Sequence, residues 1–234
     1  MLRVDDLNAY YGQLHVLKNV SVSVGEGEVV VMLGPNGHGK STLLKSICGL
    51  VDRVDGRVEF HGETITGIPA ERLVNQGMAY IAENRELFPL MTIQENLKLG
   101  AYSRRARRHE KENMAMVFDL FPRLAERRNQ IAETLSGGEA RMLAIARGLM
   151  SHADFLCIDE PSIGLQPSLR MEVLNIIEAI HRQGKSIFLV EQNIPQVMDL
   201  AERIYLLEEG HITFEGDREA ATQNADLREI FLGM

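Results

Sequence analysis

The feature that most constrains this chain is an eight-residue loop, Gly34–Ser41, with the sequence Gly-Pro-Asn-Gly-His-Gly-Lys-Ser. The run Val29–Leu33 before it is continuously apolar, which is typical of a buried parallel strand. After the loop, Leu43, Leu44 and Ile47 recur at helical spacing. A strand, this glycine pattern and a helix together predict a phosphate-binding loop in an α/β fold.

The chemistry of this loop follows from its residue types. Glycines let the backbone turn tightly and direct several N–H groups inward, and the following helix N-terminus completes an anion cradle. Lys40 can reach the terminal phosphates, and Ser41 can ligate Mg²⁺. His38 stands at a position that the pattern leaves free, so we expect a tolerated side chain there rather than a ligand. The predicted nucleotide-binding residues are those of the loop and the threonine that follows it, namely Gly34, Pro35, Asn36, Gly37, His38, Gly39, Lys40, Ser41 and Thr42.

Two acidic residues follow a second apolar strand, Phe155–Ile158. Asp159 would lie beside the phosphate loop if the strands Phe155–Ile158 and Val29–Leu33 are neighbours, and it could then hold Mg²⁺. Glu160 could polarise an attacking water as a general base. The alternative interpretation is a pair of solvated acids at a strand exit.

A second glycine-rich segment, Leu135–Glu139, precedes a stretch of strong helix formers, Ala140–Leu149. Ser136 is a predicted N-cap, and Glu139 three residues later completes a capping box. The segment is either only a well-capped helix start or a second phosphate-binding helix terminus. Local sequence does not decide between these two.

The rest of the chain changes character twice. Val20, Val22 and Val24 alternate with polar residues, as in a half-buried strand. Thr92–Leu99 and Lys111–Leu120 have the pattern of amphipathic helices, which indicates a helical insertion. From residue 155 onward, strands and helices alternate, which favours a parallel sheet covered by helices. The predicted elements there are Phe155–Ile158, Met171–His181, Ile187–Val190, Ile194–Ala201 and Ile204–Leu207.

Composition excludes several protein classes. The 234 residues are 45% hydrophobic and 25% charged, which is ordinary for a globular protein and unlike a disordered, collagen-like or disulfide-rich chain. The net charge of −8 argues against a general nucleic-acid binder. The two cysteines, Cys48 and Cys157, have apolar surroundings, which favours a reducing cytoplasm. No run is apolar enough to span a membrane and the N-terminus has no signal-peptide layout, so we expect any membrane work to go through partners.

The phosphate loop, Leu135–Glu139 and Phe155–Glu160 stand in an order and spacing that resembles the ATP-binding subunit of ATP-binding-cassette (ABC) transporters. The resemblance covers essentially the whole chain. It implies one ABC ATPase domain over residues 1–234 with a P-loop NTPase (RecA-like) core and a mixed sheet. The core would comprise about 1–83 and 151–234, with an N-terminal antiparallel β subdomain and an inserted α-helical subdomain at about 84–150.

The same resemblance implies ATP and Mg²⁺ as cofactors and a head-to-tail dimer with a second ABC ATPase subunit. Ser136, Gly137 and Gly138 of one subunit would close over the ATP held by the other. The family signature usually ends in glutamine, where this chain has Glu139. Tyr11 matches the aromatic residue that stacks on adenine, and Tyr10 beside it is the alternative.

Four further stretches resemble one branch of that family, the smaller ATP-binding subunit of branched-chain amino acid importers; they are Glu83–Pro89, Glu95–Tyr102, Asp159–Leu165 and Leu189–Asn193. The branch implies an ATPase that powers uptake of a branched-chain amino acid or a related small polar solute. Integral-membrane permease subunits and, indirectly, an extracytoplasmic solute-binding protein would be its partners, with no nucleic acid. The subunit would lie at the cytoplasmic face of the inner membrane, held through the permease.

Three residues depart from the wider family pattern. Many members have glutamine where this chain has Glu83, which the resemblance makes a metal ligand with Ser41 and Asp159. Most have a histidine on the γ-phosphate where this chain has Gln192, so Gln192 joins Lys40 and Glu160 as the predicted catalytic set. Glu83 and Gln192 also occur in the branch. Gln166 replaces a usual aspartate, which would alter contacts across the dimer.

Two surfaces and two functions stay open. The basic run Arg104–His109 could contact lipid head groups, a permease loop or nucleic acid, or could simply be solvated. The apolar segment Leu87–Met91 is either core or a groove that receives a permease helix. The alternative functions are an ABC-type ATPase outside transport and a slow-turnover nucleotide-binding regulator.

Overall fold

The computed structural model describes residues 1–192, 197–224 and 227. Two sheets organise the chain. The N-terminal sheet is four-stranded and antiparallel, in the order β2-β1-β4-β5. Its strands are β1 (Leu2–Tyr11), β2 (Leu14–Val24), β4 (Arg53–Phe60) and β5 (Glu63–Thr64). The predicted antiparallel subdomain and the half-buried strand at Val20–Val24 are confirmed.

The second sheet is six-stranded and mixed, in the order β10-β9-β3-β8-β7-β6. Its strands are β3 (Val29–Leu33), β6 (Met78–Ile81), β7 (Phe155–Asp159), β8 (Ser186–Val190), β9 (Arg203–Glu208) and β10 (His211–Gly216). Only β10 pairs antiparallel; the other described pairings are parallel. All residues of β3, β7 and β8 are buried, as their continuous apolar runs predict.

The helices confirm the insertion pattern. Within the described residues they are α1 (Lys40–Ile47), α2 (Ala70–Gln76), α3 (Ile93–Gly100), α4 (Arg104–Arg107), α5 (Glu110–Leu120), α6 (Pro122–Glu126), α7 (Gly137–Leu149), α8 (Pro167–His181) and α9 (Arg218–Gln223), with a 3₁₀ turn at Ala132–Thr134. Helices α3 to α7 all fall inside the predicted segment 84–150. The predicted helix Ile194–Ala201 falls partly on residues 193–196, which lie outside the described residues.

Among the helices that the structure describes, α3 and α7 each begin with a full capping box. At α3, Glu95 N–H donates to Thr92 Oγ1 at 3.2 Å and Thr92 N–H donates to Glu95 Oε2 at 2.8 Å. At α7, Glu139 N–H donates to Ser136 Oγ at 3.4 Å and Ser136 N–H donates to Glu139 Oε2 at 2.9 Å. The bond from the Ser136 N–H, followed by the Ser136 side chain, holds the pKa of Glu139 below its usual range. The predicted cap at Ser136 is therefore confirmed.

The six-stranded sheet separates two apolar cores. Val29, Val31 and Leu33 of β3 face a core that they share with the helical segment and α8. Val30 and Met32 face the other core, which they share with α1 and the N-terminal sheet. Successive side chains of a strand point to opposite faces, so one short apolar strand serves both layers.

The strand order corrects one expectation. Asp159 was expected beside the phosphate loop on condition that β3 and β7 are neighbours, but β8 lies between them. Helix α1 packs against β7, and this packing brings the two motifs together instead. Within the described part of the chain, no helix is long and apolar enough to cross a membrane.

Candidate active site

The phosphate loop lines a pocket of about 270 Å³ at one edge of the six-stranded sheet. The parallel strands β3, β7 and β8 all end at this edge, so residues far apart in sequence meet there. The lining residues are Asn36, Gly37, Gly39, Lys40, Ser41, Thr42, Glu83, Glu160, Ile163 and Gln192. The whole predicted catalytic set and the predicted metal ligands Ser41 and Glu83 therefore share one pocket.

Lys40 is held by the loop that it belongs to. Its Nζ donates to Gly34 O at 2.8 Å and to Pro35 O at 3.0 Å, and the side chain is 3% exposed. The same ammonium lies 3.5 Å from a carboxylate oxygen of Glu160. Gly34 cannot be replaced here, because a Cβ on it would meet Leu207 O at 2.2 Å. The loop therefore presents a fixed cation to the pocket.

Asp159 joins the loop through a hydroxyl. Ser41 Oγ donates to Asp159 Oδ1 at 2.9 Å, and Tyr80 Oη donates to Asp159 Oδ2 at 2.8 Å. Burial raises the pKa of Asp159, and the bonds from Tyr80 and Ser41 oppose that rise. Burial and the nearby Asp159 raise the pKa of Tyr80. A serine hydroxyl next to a buried carboxylate is an oxygen donor set that fits Mg²⁺.

Glu160 is held in a conformation that few non-glycine residues adopt, with φ of 43°. Its N–H donates to Val190 O at 2.9 Å, which ties the exit of β7 to the end of β8. Its buried carboxylate lies between Lys40 and Gln192, whose Nε2 donates to Glu160 Oε2. A strained backbone at a pocket is typical of a functional residue.

Glu191 fixes the position of Gln192. It is 2% exposed, and its carboxylate accepts from Ser162 N–H at 3.0 Å and from Gln192 N–H at 3.1 Å. The first bond reaches the loop after Glu160, and the second reaches the residue that contacts Glu160. One buried carboxylate thus connects the loops that follow β7 and β8.

Glu83 is tied to helix α7. Arg141 is 3% exposed, and its Nη1 donates to the backbone oxygens of Glu83 and Ala82. Burial lowers the pKa of Arg141, and the charge of Glu83 is among those that oppose this effect. Arg147, two turns later on α7, donates to Glu86 O at 2.7 Å and to Arg85 O at 3.3 Å. Helix α7 therefore anchors the segment 82–86 beside the pocket of the phosphate loop.

The glycine-rich start of α7 lies outside this pocket. Ser136 and Gly137 are exposed, Glu139 is half-buried, and Gly138 is buried against Leu169. The open N–H groups at this helix start are therefore presented to the surroundings of the molecule. That Ser136, Gly137 and Gly138 contact the ATP of a partner subunit stays a prediction.

The two tyrosines at the end of β1 differ in their surroundings. Tyr10 stacks on His15 with ring centroids 4.4 Å apart, and the guanidinium of Arg53 lies 4.2 Å from its ring centroid. Tyr11 is 47% exposed. Only Tyr11 offers a free ring face of the two, which favours it for adenine stacking.

A larger groove of about 900 Å³ lies on the other side of segment 82–88. Phe88 lines it and is 48% exposed, whereas Leu90 is 77% exposed and Leu87 packs against the core. Within Leu87–Met91, Leu87 therefore belongs to the core, whereas Phe88 lines the groove; these are the two alternatives that the sequence left open. Arginines and aromatic residues contribute to the groove lining, namely Arg85, Arg104, Arg107, Arg147, Tyr80, Phe88 and Tyr102.

The basic run Arg104–His109 is more than a solvated face. Arg104 and Arg107 line the groove, and the guanidinium of Arg107 lies 4.6 Å from the ring centroid of Tyr102. Arg105 instead pairs with Asp154 and donates to His152 O at 3.0 Å. Arg104 and Arg107 therefore face the groove, whereas Arg105 contacts the segment 152–154.

Sequence reasoning missed three residues of this region, namely Tyr80, Glu191 and Arg141. Tyr80 carries a hydroxyl group in a segment that is otherwise apolar. Glu191 directly follows an apolar strand, as Asp159 ends one. Arg141 is a charged residue beside the apolar run Met142–Ala146 of helix α7. In each case the apolar neighbours in the sequence indicated that the polar residue is buried, but they did not indicate which group it contacts.

Comparisons with known proteins agree with this geometry. Residues 17–163 match the ABC transporter family. The chain is 41% identical over 233 residues to the high-affinity branched-chain amino acid transport ATP-binding protein BraG of Pseudomonas aeruginosa, with 100% of both chains covered. The chain belongs to the ABC transporter family. It is also 35% identical to the probable branched-chain amino acid transport ATP-binding protein LivF of Archaeoglobus fulgidus, covering 100% of this chain and 99% of that protein.

A solved structure completes the comparison. The dimeric ATP-binding cassette MJ0796, in a post-hydrolysis state with ADP and phosphate, superposes with a TM-score of 0.80 and is 25% identical over 93% of this chain and 99% of that one. Family membership and this likeness confirm the predicted P-loop NTPase fold and the predicted ATPase activity. They also support nucleotide binding and dimerisation of the cassette.

Proposed function

We propose that this chain is the ATP-hydrolysing subunit of an importer for branched-chain amino acids or related small polar solutes. It would lie at the cytoplasmic face of the inner membrane, held there by permease subunits. The observation that carries the proposal is the likeness to BraG along the full length of both chains. The pocket that brings the phosphate loop together with Glu83, Glu160 and Gln192 supports it. The solute-binding protein would act on the permease and not on this chain.

The phosphate loop and the predicted catalytic residues would then divide the work of hydrolysis as follows. The loop residues and Lys40 bind the phosphates, since Lys40 can exchange the carbonyls of Gly34 and Pro35 for phosphate oxygens. Glu160 accepts a proton from the attacking water. Gln192 orients Glu160 through its amide and can donate to the γ-phosphate. Phosphoryl transfer requires mainly such positioning and charge stabilisation.

Ser41, Asp159 and Glu83 would hold Mg²⁺. When bound, the ion neutralises charge on the β- and γ-phosphate oxygens. The existing bond between Ser41 and Asp159 already places two oxygen donors together. Tyr80 fixes the rotamer of Asp159 by occupying its other oxygen.

The groove beside segment 82–88 would receive a helix of the permease. Its lining includes the exposed ring of Phe88 together with Arg104 and Arg107. Exposed apolar surface rimmed by polar groups is typical of a partner site. Through Arg141 and Arg147, helix α7 would pass movement of the groove to Glu83 in the nucleotide pocket.

Uptake of a labelled branched-chain amino acid tests the proposal. We would delete the chromosomal copy and restore the parent chain, Glu160→Gln or Phe88→Asp. We expect the parent to restore uptake and both variants to fail, for different reasons. Phe88→Asp should still hydrolyse ATP after purification, because Phe88 lies outside the nucleotide pocket, whereas Glu160→Gln should not.

Affinity purification from gently solubilised membranes identifies the partners. We expect two permease proteins and a second ABC subunit with the parent chain, and loss of the permeases with Phe88→Asp. Labelled solute leaving the cells faster with the parent chain would reverse the proposed direction. Unchanged uptake after deletion, with soluble partners alone, would favour an ABC ATPase outside transport.

A further inference from the structure

We propose that His38 is a positioning residue that fastens the phosphate loop to the turn between β9 and β10. Its imidazole would set the affinity of the loop for nucleotide without touching the nucleotide. The inference rests on the assignment of Gly34–Ser41 as the phosphate-binding loop. It does not depend on the transported solute or on the permease.

The contact has two hydrogen bonds to adjacent residues of one turn. Glu209 N–H donates to His38 Nδ1 at 3.0 Å, and Gly210 N–H donates to His38 O at 3.2 Å. Because Nδ1 is the acceptor, the neutral imidazole carries its proton on Nε2. Side chain and main chain of His38 thus bind the same turn together.

The turn needs an acceptor at this point. Glu208 pairs with His211, and the two residues between them have positive φ, 47° at Glu209 and 83° at Gly210. Positive φ at both central residues defines a type I′ hairpin turn. The N–H of the first central residue has no role in the ladder of such a turn. His38 Nδ1 supplies the acceptor that this N–H would otherwise take from water.

The turn is itself a firm anchor. Lys18 N–H on β2 donates to Gly210 O at 2.9 Å, and Lys18 Nζ donates to Glu209 O at 3.0 Å. Gly210 lies so close to β2 that a Cβ on it would meet Val16 O at 2.1 Å. A bond from the loop to this turn therefore ties the loop to the N-terminal sheet.

The same hairpin holds the other end of the loop. Gly34, where the loop begins, lies directly against the backbone of Leu207 at the end of β9. His38 lies against Glu209, two residues further along the chain. The stretch between Gly34 and His38 is thus clamped at both ends by one strand end and its turn. Only the second clamp depends on a side chain.

The clamp acts on the residues that line the pocket. Gly37 and Gly39, on either side of His38, are among the described lining residues, whereas His38 itself is not. Fixing the main chain at His38 holds the neighbouring N–H groups in place before nucleotide arrives. Such preorganisation lowers the entropy lost on binding. A neutral hydrogen bond contributes about threefold to tenfold in an equilibrium constant.

Nucleotide binding by purified variants tests the inference. We would measure the ATP dissociation constant of the parent, His38→Ala and His38→Asn, together with kcat and KM. Asn Oδ1 can take the position of His Nδ1 and accept the bond from Glu209, and Ala cannot. We expect His38→Ala to bind ATP about threefold to tenfold more weakly, and KM to change more than kcat. We expect His38→Asn to bind within about twofold of the parent.

Two controls separate the alternatives. His211→Ala removes an exposed histidine from the same hairpin and should leave ATP binding unchanged. Lys40→Ala should abolish tight ATP binding; if it does not, the loop assignment fails rather than the clamp. Equal binding by His38→Ala and the parent would overturn the proposal. Equal loss in His38→Ala and His38→Asn would overturn it too, because a lost acceptor could not explain both.

Discussion

Arg141 of helix α7 donates a hydrogen bond to the backbone oxygen of Glu83, a residue that lines the nucleotide pocket. The helix that carries Arg141 begins with the glycine-rich residues Ser136–Gly138, which the family resemblance places at a partner's ATP. One buried arginine therefore links the residues that would contact two different nucleotides of a dimer. Movement of the start of α7 should therefore reach Glu83 through this contact, and movement of Glu83 should reach the start of α7.

Replacing Arg141 tests the link. Arg141→Met keeps much of the buried volume but leaves the oxygens of Ala82 and Glu83 without their donor. We expect the free energy of unfolding to fall by about 1–3 kcal/mol, and ATP turnover to fall because Glu83 loses its anchor. Urea denaturation and a phosphate-release assay measure the two effects. Arg147→Met is the matched control on the same helix and should lower turnover less. Equal turnover by parent and Arg141→Met would refute the link.

Glu160→Gln tests the general base. The amide keeps the size and the contact with Gln192 but cannot accept a proton. We expect turnover to fall about 10²- to 10⁴-fold while ATP binding is retained, since a positioned base contributes about that much. The variant should accumulate as an ATP-bound dimer in size-exclusion chromatography. Hydrolysis at the parent rate would show that Glu160 is not the base.

Because of Asp159, the Mg²⁺ concentration that ATP hydrolysis requires should depend on pH. Burial raises the pKa of Asp159, so protons compete with Mg²⁺ at higher pH than at an ordinary aspartate. We expect chelation to abolish turnover, and the Mg²⁺ concentration for half-maximal rate to rise as pH falls. Tyr80→Phe removes a bond that lowers this pKa, so the rise should begin at higher pH. A Tyr80→Phe profile identical to that of the parent would contradict the assignment.

The two tyrosines at the end of β1 should differ in their effect on nucleotide binding. Tyr11→Ala removes an exposed ring, and loss of aromatic stacking on a base costs about 1–3 kcal/mol. We expect Tyr11→Ala to weaken ATP binding by at least about fivefold. Tyr10→Phe keeps the stack on His15 and should bind ATP as the parent does. Parent-like ATP binding by Tyr11→Ala would show that Tyr11 does not stack on adenine.

His152 should lower stability in acid. Burial, followed by the charges of His109, Lys185 and Arg105, lowers the pKa of His152, while Asp154 opposes them. Its folded pKa is thus below its unfolded value of about 6.5, so the unfolded chain binds the extra proton and unfolding becomes easier as pH falls through that value. We expect the melting temperature of the parent to drop more between pH 7 and pH 5 than that of His152→Asn. Parallel curves for the two proteins would refute this role.

The predictions from the sequence were strongest where chemistry is local. The phosphate loop, the capping box at Ser136 and the apolar strands Val29–Leu33 and Phe155–Ile158 each depend on residues a few positions apart. Short-range patterns of this kind specify their own backbone geometry. For the same reason, the acids at Asp159 and Glu160 were identifiable from the strand that they follow.

Only the tertiary structure decided which of these motifs meet. It placed β8 between β3 and β7, brought Ser41 to Asp159 through the packing of α1, and set the amide of Gln192 on Glu160. It also showed that His38, which the loop pattern leaves unspecified, accepts a hydrogen bond from the N–H of Glu209, 171 residues later in the chain. Such contacts depend on strand order and on orphan backbone donors, which arise only when distant segments pack together. The residue types were present in the sequence, but their partners were a property of the fold.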